Sequence, residues 1–146
     1  MKSPDELTEI FRMRGLKMTP QRHCIFQVLH RLAGAHPTAE AVHAEVIREL
    51  PTVSLKTVYQ TLNDLSAMGE LQHIDLGTGS GRFDANLDQH QHLVCEACGR
   101  VWDVYGDFTD VRAPTAVVGG FRVSSTDIVF RGLCEHCAVA DARAAV

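Results

Sequence analysis

Cys95-x-x-Cys98 and Cys134-x-x-Cys137 repeat one spacing twice, and each pair can turn two thiolates toward a single metal ion. Zinc favours tetrahedral coordination by sulfur. Four thiolates close its shell and leave no position for water or substrate, so the expected site is structural and not catalytic. Two disulfides, or a redox Cys-x-x-Cys, would use the same spacing. The first calls for a secretory signal, and none is read ahead of the fold; the second needs no duplicate. A tetrathiolate zinc site is the expectation, in a chain with reduced thiols and therefore a cytoplasmic setting.

The chain has eight histidines, unevenly spread. His90-x-His92 sits just before Cys95, with Asp84 and Asp88 on one side and Asp103 on the other, while His36 lies far upstream. In an extended strand residues i and i+2 point the same way, so His90 and His92 can grip one ion. A shell of imidazole and carboxylate without thiolate suits Fe(II), Mn(II), Co(II) or Zn(II). The competing reading is a scatter of surface histidines. His23, His30, His43 and His73 show no ligand spacing and read as surface or packing residues, and His136 as a bystander between two zinc cysteines. An open position on such a metal could serve hydrolysis. Nothing nearby except the ligands themselves resembles a general base, so an enzyme is not expected. Cys24, at an apolar position of a helical stretch, reads as a buried and inert thiol.

The elements that must position these groups fall into two kinds. Residues 4–14 form a weakly amphipathic stretch ending at Gly15. A second helix takes Thr19 as N-cap and Pro20 at its first position, with Ile25, Val28, Leu29 and Leu32 on one face. A third runs from the N-cap Thr38 to about Leu50, and Pro51 stops it. The fourth begins at Ser54, with Leu55, Val58, Tyr59, Leu62 and Leu65 on one arc and Lys56, Thr57, Gln60 and Asn63 on the other. Beyond Gly69 the period changes. Residues 71–75 and 82–84 flank a Gly77-Thr78-Gly79-Ser80-Gly81 turn and read as a hairpin. Helices followed by a hairpin are the parts of a winged helix-turn-helix. Residues 92–95, 101–104 and 121–130 then read as strands, with a poorly defined helix within 107–118. The expected fold is α+β: a winged helix-turn-helix over 1–85, then a small α/β dimerisation domain over 86–146 that carries the four-cysteine zinc site.

Hydrophobic residues make up 45% of the 146, which excludes a disordered chain. No apolar stretch is long enough to span a membrane. The formal net charge is −4, which at first argues against nucleic acid. Its distribution answers this: residues 1–74 carry eight Lys+Arg against eight Asp+Glu, while residues 75–146 carry six against ten. The acidity lies in the cysteine half. A short helix with an apolar inner face and Lys56, Thr57, Gln60 and Asn63 outside suits a major groove, although an ordinary solvated helix has the same pattern. Ser54 at a helix N-terminus suits a phosphate, and Lys17 and Arg22 place two cations at the preceding helix. Tyr59 could seal the core or offer its hydroxyl to a phosphate. A zinc-ribbon interaction module without DNA contact is the alternative.

Met18-Thr19-Pro20-Gln21-Arg22, His36-Pro37-Thr38-Ala39, Ser54-x-x-Thr57-Val58-Tyr59-x-x-Leu62, Arg82-Phe83-Asp84, His90-x-His92-x-x-Cys95-x-x-Cys98-Gly99 and Gly132-x-Cys134-x-x-Cys137 together resemble the ferric uptake regulator (Fur) family of dimeric, metal-responsive bacterial repressors. The resemblance covers nearly the whole chain. It leans toward the peroxide-sensing branch, because Asp84 stands where iron sensors of the family tend to have Glu. It implies a regulatory Fe(II) or Mn(II) site of His36, Asp84, His90, His92 and Asp103, with His36 or His90 as the imidazole that peroxide oxidises. It also implies a homodimer on a pseudo-palindromic double-stranded operator. Lys17 would lie near the minor groove, with Arg22, Thr57 and Tyr59 at the backbone and bases; Ser54, Lys56 and Gln60 complete the expected DNA face. A family member that senses iron, manganese or zinc without peroxide is the alternative. Where some members place a histidine of a third metal site, this chain has Thr126, so that site is expected to be absent.

Overall fold

Ser3, Thr19, Thr38 and Ser54 each precede a helix, and each turns its hydroxyl oxygen onto a backbone N–H of the first turn. Such caps satisfy donors that the helix cannot pair internally. At Ser3 the box is complete, because Glu6 accepts from the Ser3 backbone N–H in return. The resulting helices are α1 (Pro4–Met13), α2 (Pro20–Arg31), α3 (Ala39–Glu49) and α4 (Leu55–Ala67). The computed structural model describes residues 1–77, 79–113 and 119–144. The chain divides into two compact units, Met1–Asp88 and Gln89–Val146.

The first unit closes its four helices over one apolar cluster. Leu7 and Phe11 of α1, Ile25, Phe26 and Val28 of α2, Val42 and Val46 of α3, and Val58, Leu62 and Leu65 of α4 are all buried in it. Phe11 and Phe26 meet edge to face with ring centres 4.9 Å apart. Each such side chain contributes about 1.5–3 kcal/mol on leaving water. Gly69, at φ 73°, takes the left-handed turn that releases the chain from α4. Strands β1 (Gln72–Ile74) and β2 (Arg82–Asp84) then pair antiparallel. Helices and wing thus match the expected parts, with β1 shorter at both ends than 71–75. Leu32, expected on the apolar face of α2, packs only partly buried against the core.

The second unit is a three-stranded sheet. Strand β3 (Gln91–Cys95) lies in the middle, antiparallel to β4 (Val101–Val104) and parallel to β5 (Val129–Gly132), and helix α5 (Glu135–Ala144) follows. Two expectations need correction. Regular strand structure begins at Val129 and not at 121, because the ladder with β3 starts with the His92–Val129 pair. Phe121 and Val123 are instead exposed, since alternation alone does not make a strand without a partner. Residues 107–113 form no helix; Asp107 caps a local turn by accepting from the Thr109 N–H and hydroxyl. The remainder of the expected helix, 114–118, lies outside the described residues. The unit's apolar core is small: among the described residues only Val94, Cys95 and Val101 are buried hydrophobics. Among the described residues of the chain, no helix is long and apolar enough to cross a membrane.

Candidate metal centres and nucleic-acid face

The tetrathiolate expectation is met by four sulfurs that all lie within 4.8 Å of one another. Local backbone geometry assembles them. Cys95 ends β3, and Gly99, at φ 67°, bends the chain back so that its N–H donates to the Cys95 carbonyl at 2.8 Å. The return strand closes the knuckle with Cys95 N–H on the Arg100 carbonyl at 2.9 Å. Across the sheet, the Glu96 N–H donates to the Gly132 carbonyl at 2.8 Å and brings up the loop to α5. Cys134 begins that turn and Cys137 lies one turn further along α5. Zinc–sulfur bonds of about 2.3 Å in a tetrahedron put sulfurs about 3.8 Å apart; Cys98 Sγ and Cys134 Sγ are 3.9 Å apart. The donor set fits a zinc ion.

Cys95 and Cys137 diverge in acidity. The Cys134 and Cys98 backbone N–H groups, aimed at the Cys95 sulfur, pull its pKa down to about 6. Cys137 is pushed up to about 12, chiefly by its hydrogen bond with Cys134, then by burial and the Cys98 and Cys95 sulfurs. One thiol ionises readily, and the last resists a further negative charge beside its neighbours. A divalent cation removes that resistance, so binding would release protons. No disulfide joins any cysteine. Cys24 is buried in α2, donates to Glu49 at 3.8 Å, and has its pKa raised by burial and then by that carboxylate, as an inert thiol should.

Each unit also holds a tight group of nitrogen and oxygen donors. In the first, His36 precedes α3 in the left-handed region at φ 47°, a conformation uncommon for a side-chain-bearing residue. The wing holds it there: Phe83 N–H donates to the Pro37 carbonyl at 2.9 Å, Thr38 bridges to Arg82, and Arg82 Nη1 donates to the His36 carbonyl at 3.0 Å. Asp84, next along β2, consequently puts Oδ2 3.6 Å from His36 Nε2, while its Oδ1 accepts from the Asn86 N–H at 2.8 Å. In the second unit His90, just before β3, and His92 within it turn the same way, as their spacing suggested, with Nε2 atoms 3.1 Å apart. Asp103 pairs directly across from His92 in β4, and its Oδ1 is 3.6 Å from His90 Nε2. Tyr105 adds a ring 5.9 Å from that of His90. Asp88, near these residues in sequence, is exposed and stands outside the five donors His36, Asp84, His90, His92 and Asp103.

The expected DNA face is on the first unit. Lys17, Lys56, Tyr59 and Gln60 are exposed and Thr57 half-buried. Ser54 is occupied by its cap and lies 2.9 Å from the Thr57 hydroxyl. Tyr59 resolves its two readings toward the surface: it is 40% exposed and donates its hydroxyl to Glu40 of α3 at 2.6 Å. Arg22 is different. Its guanidinium donates to Asp64 at 2.7 Å and to the Lys17 carbonyl at 2.9 Å. Sequence reading missed Arg82 as a support of His36, and Glu40 and Asp64 as partners of Tyr59 and Arg22. Arg82 stood inside a quoted motif and could have been found; the acidic pair carried no local signal.

The sequence profile of the ferric uptake regulator family matches residues 13–131. The peroxide operon regulator of Bacillus subtilis (strain 168) is 34% identical over 133 residues, spanning 90% of this chain and 91% of that protein. The peroxide-responsive repressor PerR of Staphylococcus saprophyticus is 31% identical over 134 residues, spanning 91% and 89%. The ferric uptake regulator Fur of Helicobacter pylori superposes with a TM-score of 0.71 at 23% identity, covering 94% of this chain and 97% of that one, a likeness of fold.

Proposed function

Because the chain belongs to the ferric uptake regulator family, we propose that it is a metal-dependent, DNA-binding transcriptional repressor that senses peroxide through one regulatory Fe(II). Mn(II) would be the peroxide-insensitive substitute, and a separate structural zinc would occupy Cys95, Cys98, Cys134 and Cys137. His36 and Asp84 from the first unit, with His90, His92 and Asp103 from the second, hold the regulatory ion. What carries the reading is that each unit keeps its share of these donors as a tight group, 3.6 Å across at His36–Asp84 and 3.1 Å at His90–His92. Neither share fills a coordination shell. Bound by both shares, an ion would tie the DNA-binding unit to its neighbour, and its loss would free them.

The donor chemistry is nitrogen and oxygen throughout, which suits Fe(II) and Mn(II) and separates this ion from the thiolate-bound zinc. A bound Fe(II) would supply one-electron chemistry toward peroxide, which Mn(II) supplies poorly. The protein's part would be to hold His36 and His90 as ligands of that ion, so that one or the other is the imidazole peroxide oxidises, with water as the by-product. Arg82 and the wing hold His36, and the β3–β4 ladder holds His90 near Asp103. Two relatives bear peroxide-responsive names, which supports this branch.

The DNA face comprises Lys17, Ser54, Lys56, Thr57, Tyr59 and Gln60, with Lys17 near the minor groove and the α4 side chains toward the backbone and base edges. A homodimer reads a pseudo-palindromic operator in the cytoplasm. Its interface is the row Trp102, Leu93 and Phe130, aligned across the sheet by register and each more than a third exposed, as expected of a unit with so small a core of its own.

The test is anaerobic metal loading followed by operator binding. Fe(II) protein is expected to lose its DNA on peroxide treatment and to gain the mass of one oxygen on a peptide containing His36 or His90; Mn(II) protein is expected to keep its DNA. Repression by Fe(II) protein that survives peroxide, with no oxygen added, would leave a plain metal sensor in its place.

A further inference from the structure

The family resemblance puts Arg22 at the DNA backbone and bases, yet in the structure its guanidinium is engaged on three sides. Nη2 donates to Asp64 Oδ2 at 2.7 Å, Nη1 donates to the Lys17 carbonyl at 2.9 Å, and the guanidinium carbon lies 5.1 Å over the Phe11 ring. The Arg22 side chain is only 15% exposed and that of Asp64 28%. These contacts reach three segments: α4, which carries Lys56, Tyr59 and Gln60; the link that carries Lys17; and α1 through Phe11. The planar guanidinium holds its partners in fixed directions, and charge-assisted bonds of this length are among the stronger ones. Moving Arg22 onto a phosphate would break the pair and leave the Asp64 carboxylate unpaired beside the negative charge of DNA.

We propose that Arg22 is a positioning residue with Asp64 as its partner. Together they fix α4 against the Lys17 link, so that the helix face and the loop cation arrive at DNA in one register. Arg22 itself donates nothing to DNA. The inference rests on the repressor reading and deepens it.

The test uses the full-length Mn(II)-loaded chain, a duplex enriched from a random library by the wild-type protein, and a random duplex of equal length, each titrated across a range of KCl. Arg22→Gln and Asp64→Ala are each expected to lower affinity for the enriched duplex about tenfold, on the scale of coupled contacts. Affinity for the random duplex and the slope of log affinity against log salt should stay at their wild-type values. The double variant should be no worse than either single one. Arg22→Lys keeps the charge but loses the fork, and should fall nearly as far as Arg22→Gln.

A phosphate contact predicts the opposite on every count. Arg22→Gln would flatten the salt slope by about 0.9, Arg22→Lys would retain affinity, and Asp64→Ala would tighten binding by freeing the guanidinium. Any of these overturns the proposal. So does a lower melting temperature with the ratio of enriched to random affinity unchanged, which is what a residue that only stabilises the fold would give. Should Asp64→Ala fail to fold, the isosteric Asp64→Asn takes its place in the same comparison. A wild-type chain that bound neither duplex would remove the repressor reading and this proposal with it, whereas every other outcome leaves that reading standing.

Discussion

Removing the thiolate-bound metal should unfold the second unit and spare the first. Among the described residues the second unit buries the hydrophobic side chains of Val94, Cys95 and Val101 alone. At about 1.5–3 kcal/mol for each valine, that is roughly 3–6 kcal/mol from the two. A structural zinc contributes about 10–16 kcal/mol in small domains at neutral pH, so the metal outweighs the core that surrounds it. The first unit has no such dependence: its cluster gathers side chains from α1 to α4 and the wing. The chain provides separate reporters for the two. Its single tryptophan, Trp102, sits in β4 of the second unit, and four of the five described helices lie in the first. A strong chelator added to the full-length protein is therefore expected to shift Trp102 emission to the red and lower its anisotropy. Far-ultraviolet circular dichroism should keep most of its helical signal, and heating should then show one cooperative transition from the first unit. Trp102 emission that stayed unchanged after metal analysis had shown the zinc gone would refute the reasoning. A simultaneous collapse of both signals would refute it too, by showing that the first unit cannot stand on its own core.

Asp84→Asn removes the carboxylate charge from the His36 group and is expected to weaken Mn(II) binding by at least the ~10–100-fold that outer partners of a site cost, with one zinc per chain retained. Mn(II) titration by electron paramagnetic resonance, beside total metal analysis, checks both halves of that statement. Leu62→Ala empties a fully buried position of α4 and should cost about 2–5 kcal/mol in urea unfolding followed by circular dichroism. Cys24, buried and with its pKa raised, should resist iodoacetamide at neutral pH in the folded protein and react fully only in denaturant; labelling followed by peptide mass spectrometry decides it.

What could be read from the chain alone was whatever is local. Thr19-Pro20, Thr38 and Ser54 announce helix starts because a cap and the N–H it satisfies lie within one turn, and the structure has all three. The two Cys-x-x-Cys knuckles are equally local, and their twin spacing led straight to the four-sulfur cluster. The errors fall where a partner decides. Residues 121–128 alternate like a strand, but β3 offers its ladder only from Val129 onward, and nothing within the segment records that. Long-range polar partners are hidden in the same way. Glu40 stands 19 residues from Tyr59 and Asp64 stands 42 from Arg22, separations at which spacing carries no information about contact. A cation in a motif shows that a charge is wanted at that point of the fold; whether it faces a phosphate or a carboxylate is settled by what the tertiary structure brings alongside. For Arg22 that neighbour is Asp64, and a guanidinium already held by a carboxylate and the Lys17 carbonyl is what the proposed positioning role requires.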